Sequence, residues 1–254
     1  MKNQYVGDIG DYGKYGLLRF LEKNGMKIGI NWYLTNNDES SDGKYTDYLK
    51  KDINNSTEYC CDPELFSSLK DISFLSDGSP RKSKSVHMVE DADLIPKTVY
   101  YHNVLNSKNL DSSCREETRQ SWFNGSLLAF KDSDLVFADP DNGITFRKTA
   151  RFKDSEKYIL PEEVKTYYDM GKDVVYYCHK GRRTQDKWEK VKRGICDYIN
   201  DAQILVITFH KGTQRSYIFV VHPENYHKYD ELLKRFLITE WNTMFTAESI
   251  NHGS

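Results

Sequence analysis

The tetrapeptide Asp139-Pro140-Asp141-Asn142, closed by Gly143, follows the short apolar run 134–139. A carboxylate at the end of a buried strand is partly desolvated, which suits it to accept hydrogen bonds from an amine or to hold a cation. The same residues are strong turn formers, so a plain tight turn is the competing reading. A second group begins at His179, Lys180, Arg182 and Arg183, and segment 179–193 carries seven Lys or Arg against Asp186 and Glu189. That density suits phosphate contacts, or else a solvated helix face. His179 and His210 each precede Lys-Gly. They read as acid/base groups or as structural hydrogen-bonding histidines.

Positioning these residues requires a sheet. Tyr15, Leu18 and Leu21 recur at helical spacing within 11–24, ahead of an apolar strand over 27–34 and a polar loop over 35–43. Asp62-Pro63 starts a helix to about residue 71, and 86–89 reads as a short strand. Segment 99–104 reads as a strand or the start of a helix, and 115–130 as an amphipathic helix. A buried central strand over 134–139, a helix from Pro161 to Gly171, a strand over 173–178 and a helix over 184–199 follow in alternation. Strands 202–210 and 216–222 are separated by too few residues for a crossover and must form an antiparallel hairpin, followed by a helix over 226–236. The fold class is therefore α/β, with a mostly parallel sheet ending in a C-terminal antiparallel hairpin. Ligands in such sheets gather at the carboxyl ends of the strands, which brings Asp139, His179 and the loop after Leu34 together.

At 254 residues without a Pro/Gly/Ser-rich linker, one domain spanning 1–254 is expected. A net charge of −2 gives no overall basic signature for nucleic acid. No window approaches the roughly 20 apolar residues of a membrane span, and the start of the chain has no signal-like apolar region, so a cytoplasmic location without membrane contact is expected. Five cysteines without C-x-x-C spacing read as reduced thiols. The oligomeric state is left open.

In element order, and in Asp139-Pro140-Asp141-Asn142, the chain resembles the S-adenosylmethionine-dependent adenine-N6 methyltransferases of 23S ribosomal RNA, whose motif is Asp-Pro-Pro-Tyr. The resemblance implies a Rossmann-like class I methyltransferase-type fold. Those enzymes also carry Gly-x-x-x-Asp-x-x-Lys ahead of their first strand, matched here by Gly7, Asp11 and Lys14. It further implies that Lys14, with the loop containing Asn31 and Tyr33, holds S-adenosylmethionine, and that Asp139 with the Pro140 carbonyl orients the target amine. His179, Lys180, Arg182 and Arg183 would then grip a nucleic acid or nucleotide. Two departures stand out: residues 31–38 contain no glycine, and Asp141-Asn142 replaces the aromatic pair. The chain is more closely similar, over 7–18 and 139–143, to a bacterial and phage family without a known activity.

Two other functions fit the residues. Asp8, Asp11, Asp139 and Asp141 could converge on Mg²⁺ in a nuclease or phosphodiesterase with Lys180, Arg182 or His179 near a phosphate. A degenerate methyltransferase fold could instead bind a nucleotide or nucleic acid without catalysis. Trp32 and Tyr33 read as base-stacking residues or as core.

Overall fold

The computed structural model describes residues 1–38, 43 and 45–248; positions 39–42 of the expected loop lie outside them. Helix α1 (Ile9–Lys23) starts where the Asp8 side chain accepts from the Gly10 amide at 2.9 Å. Nearly every residue of α1 is buried, including Asp11 and Lys14, because it packs between the sheet and the C-terminal segment. Gly13 and Gly16 permit that approach: a Cβ on them would lie 2.6 Å from the Phe209 ring and 2.2 Å from Trp241.

Strand β1 (Ile28–Asn31) is shorter than its apolar run implies. The Trp32 amide still bonds to the Tyr101 carbonyl at 3.2 Å, but Tyr33 turns left-handed at φ +44° and ends the pairing. Helices α2 (Thr57–Cys61) and α3 (Pro63–Ser73) follow, the latter capped by Asp62 as expected. Segment 86–89 is not a strand: it lies in helix α4 (Val86–Asp91), with Val86 and Val89 buried one turn apart under the Ser85 cap. Strand β2 (Val99–Tyr101), helix α5 (Ser112–Ala129), strand β3 (Leu135–Ala138), helix α6 (Pro161–Asp169) and strand β4 (Asp173–Cys178) complete the alternating part. Helix α7 (Gln185–Arg193) is shorter than expected, because 194–197 tighten into a 3₁₀ turn.

The seven strands run in the order β2-β1-β3-β4-β6-β5-β7, with β5 (Gln203–Phe209), β6 (Arg215–Val221) and β7 (Phe245–Glu248). Strands β2, β1, β3 and β4 are parallel, whereas β6 is antiparallel to both β4 and β5. Strand β7, an addition with no forecast in its sequence, pairs antiparallel with the outer side of β5. Alternate residues face opposite layers: Phe137, Val175 and Phe219 join the cluster around α1, α3 and α8 (Tyr226–Phe236). Val136, Val174 and Ile218 join the other cluster, around α5, α6 and α7. Both faces are thus covered, as a parallel sheet requires. No helix among the described residues is long and apolar enough to cross a membrane.

Candidate functional site

The carboxyl ends of β1, β3 and β4 open into a cavity of about 620 Å³, within the range of small-molecule sites. Asp139, Pro140, Asp141 and Asn142 all line it, because Gly143 at φ +86° turns the chain back across the sheet top. A side chain at Gly143 would meet Cys178 backbone at 2.9 Å.

From α1, Asp11 and Lys14 reach the same space. The Lys14 ammonium lies 2.8 Å from Asp11 and 2.6 Å from Asp139, joining two segments 125 residues apart. It also donates to Met1 Sδ at 3.7 Å and sits 5.0 Å above the Tyr15 ring and 5.4 Å above Trp32. Burial alone would lower the Lys14 ammonium, but the charges of Asp11 and Asp139 hold it above its ordinary value. Burial likewise pushes the Asp11 carboxyl up, against the pull of Lys14, and the Tyr15 hydroxyl donates to Asp11 at 3.1 Å.

The other carboxylates of the cavity are also matched. Asp8 pairs with Arg215 at 2.8 Å, and Asp141 with the Met1 ammonium at 2.7 Å. That ammonium donates to the Asp139 and Tyr33 carbonyls at 2.8 and 3.2 Å. The Asp141 carboxylate, though buried and ion-paired, accepts no aligned hydrogen bond among the described residues.

His179 and Lys180 line the cavity from the end of β4. Burial, then the positive charges of Arg183 and Arg215, push the His179 imidazole below its ordinary value of 6.5. Arg183 turns back to donate to the carbonyls of His179 and Lys180 at 3.0 and 3.2 Å, and exposed Arg182 does not line the cavity. The basic segment is therefore not one free face: Lys192 is buried and paired with Glu248 at 2.6 Å.

Three expected ligand contacts are not made by side chains. Gly7, at φ +84°, forms the turn before α1, and its carbonyl accepts from Tyr48 at 3.2 Å. Asn31 is fully buried, bonding to the Tyr167 hydroxyl and to the Tyr33 amide, both at 3.1 Å. Tyr33 is also fully buried, donating to Glu163 at 3.0 Å against the Arg119–Glu163 ion pair. Neither Asn31 nor Tyr33 lines the cavity; the Tyr33 carbonyl accepts from the Met1 ammonium, which does. The left-handed Tyr33 backbone makes, without glycine, the kind of turn that a glycine would make at lower cost. Trp32 is core, as is Trp122. His210 is exposed and pairs with Thr246 at 2.7 Å, away from the cavity.

Arg215, Lys2 and Lys157 were not anticipated, yet all three line the cavity. Arg215 stands at the first position of β6, beside the hairpin turn, where a signal was legible. Lys2 and Lys157 carried none.

No family model matches the chain, and no curated protein matches it. Among solved structures, the chain is similar to the crystal structure of protein LPL1258 from Legionella pneumophila, described by the family model DUF519. The identity is 14% and the TM-score 0.49, with 98% of this chain and 98% of that chain covered.

Proposed function

We propose that this protein is an S-adenosylmethionine-dependent methyltransferase acting on an exocyclic amino group of nucleic acid, on a class I methyltransferase-type fold. The carrying observation is the contact of Lys14 with Asp139 at 2.6 Å, which brings the Gly7/Asp11/Lys14 and Asp-Pro-Asp-Asn segments to one cavity. The reversed strand β6 between two co-directional strands supports the reading, since this is the layout that the resemblance implies.

The residues present fit the cofactor. An ammonium flanked by carboxylates, Lys14 between Asp11 and Asp139, is complementary to the carboxylate and amino group of a zwitterionic amino acid. The cavity has the volume for a nucleoside beside it. The bound cofactor supplies an electrophilic methyl group. Asp139 and the Pro140 carbonyl accept the two N–H groups of the target amine, which leaves its lone pair directed into the cavity. Lys180, Lys157 and Arg215 at the cavity wall attract the phosphates. Asp8, Asp11, Asp139 and Asp141 already face Arg215, Lys14 or the Met1 ammonium, so a Mg²⁺-dependent reading requires displacing those cations.

Isothermal titration with S-adenosylmethionine and S-adenosylhomocysteine tests this. Micromolar binding, weakened at least about tenfold by Lys14→Ala in a folded variant, is expected from loss of one charge-assisted contact. Absence of binding at millimolar ligand overturns the reading. Mg²⁺-dependent cleavage of nucleic acid would replace it with hydrolysis, and nucleic-acid binding without turnover with a binding protein.

A further inference from the structure

Away from the cavity, the outer end of β2 carries a second cluster of polar side chains. The Ser85-capped turn of α4 sets His87 and Glu90 three residues apart on one face, and His102 directly follows the last residue of β2. Glu90 Oε2 lies 3.1 Å from His87 Nδ1 and 3.0 Å from His102 Nδ1, and the two rings meet edge to face at 4.4 Å. All three donor atoms lie within 4.8 Å of one another, the one group of three or more such ligands among the described residues.

We propose that His87, Glu90 and His102 form a binding site for a divalent transition-metal ion of the Zn²⁺ type, independent of the cavity and of any reaction there. Bonds of about 2.0–2.2 Å around a tetrahedral ion place neighbouring ligand atoms about 3.3–3.6 Å apart, so the two Glu90–imidazole spacings need only a small opening. Two imidazoles and one carboxylate select Zn²⁺ and its neighbours over Mg²⁺ or Ca²⁺, which prefer all-oxygen shells. Without the ion each Nδ1 donates to Glu90 Oε2, so metal binding moves each imidazole proton to Nε2 and frees the Nδ1 lone pair as the ligand. Side-chain exposures of 53% for His87 and 44% for His102 leave a path for entry and room for a water as fourth ligand.

The carboxylate is also held from behind. Glu90 is 12% exposed, and its other oxygen, Oε1, accepts the Trp32 indole N–H at 2.8 Å. That indole is fully buried and stacked on Tyr100 at 5.8 Å, so the ligand oxygen is aimed by a rigid partner of the kind that supports metal sites. A bound ion would tie α4 to the end of β2, two segments otherwise joined by an irregular connection.

The test uses the full chain, freed of metal with a chelator and titrated with Co²⁺ by visible absorption and with Zn²⁺ by calorimetry. One equivalent with the intense absorption of low-coordinate Co²⁺ is expected, together with at least about tenfold weaker binding in His87→Ala, His102→Ala and Glu90→Gln. The His87→Ala/His102→Ala double variant, checked for folding by circular dichroism, is expected to lose the equivalent. Absence of a saturable equivalent in the wild type overturns the proposal. So does wild-type affinity in the double variant, which would move the ion to the adjacent Cys60 and Cys61 thiols or to the cavity. Displacement of Co²⁺ by equimolar Mg²⁺ would also overturn it.

Discussion

At the mouth of the sheet Lys14 lies 2.8 Å from Asp11 and 2.6 Å from Asp139, whereas beside β2 a single carboxylate, Glu90, is shared by two imidazoles. The first arrangement carries its own fixed cation and is buried. It offers an incoming ligand a preset pattern of alternating charge. The second is half-exposed, and its imidazoles can shift their protons to Nε2, so it offers ligand atoms for a cation to collect. Similar residue types thus suit recognition in one place and coordination in the other, and burial with a built-in ammonium makes the difference.

The comparison breaks most readily at Lys14. Lys14→Met leaves Asp11 and Asp139 facing each other without a cation, and removing one partner of a buried charge network costs about 3–5 kcal/mol. An unfolding free energy lowered by that amount, read as a fall in the urea midpoint at unchanged slope, is expected; a loss under about 1 kcal/mol would mean that water or Met1 already solvates the carboxylates. The second region should respond weakly. Glu90→Gln in metal-free protein keeps an oxygen for the Trp32 N–H, so a loss of no more than about 1 kcal/mol is expected from the same measurement. A larger loss would make Glu90 a structural anchor of α4.

The smallest effect concerns His179 and pH. Its folded value is held below 6.5 by burial and two arginines, so the unfolded chain takes up the proton first as the solution is acidified. The stability difference between wild type and His179→Gln should be flat above pH 6.5 and turn against the wild type as pH falls below it. A difference that stays flat through that window would place His179 in a solvated environment.

Much of the sheet was legible because the apolar runs 134–139, 173–178 and 202–210 are bounded by turn formers. Helix α1 was legible from its spacing within 11–24, but its start at Ile9 under the Asp8 cap was not. Segment 86–89 misled because its two valines favour a strand by type, while the capping Ser85 and the three-residue step between Val86 and Val89 carried the helical signal. In the site, Asp139, Lys14 and His179 followed from position at strand ends and from the family likeness. The roles of Tyr33 and Asn31 did not, since their partners Glu163 and Tyr167 lie 130 and 136 residues away. Glu90 was equally silent: its contact with Trp32 spans 58 residues, and His102 reaches it from the end of β2.

The placement of β1 between β2 and β3 has a consequence for how the chain is made. Ile28 pairs with Leu135 on one side, and Gly29 with Val99 on the other. Both partners emerge from the ribosome long after β1, and at about 5–20 residues per second the wait for β3 is roughly 5–20 s. Until β2 emerges, β1 has no strand beside it, and one of its edges stays open until β3 follows, while the β5–β6 hairpin, whose halves are adjacent in sequence, closes as soon as it is synthesised. The N-terminal third is therefore the part of the nascent chain that depends on α1 and α3 to shield it, or on a chaperone to do so in their place.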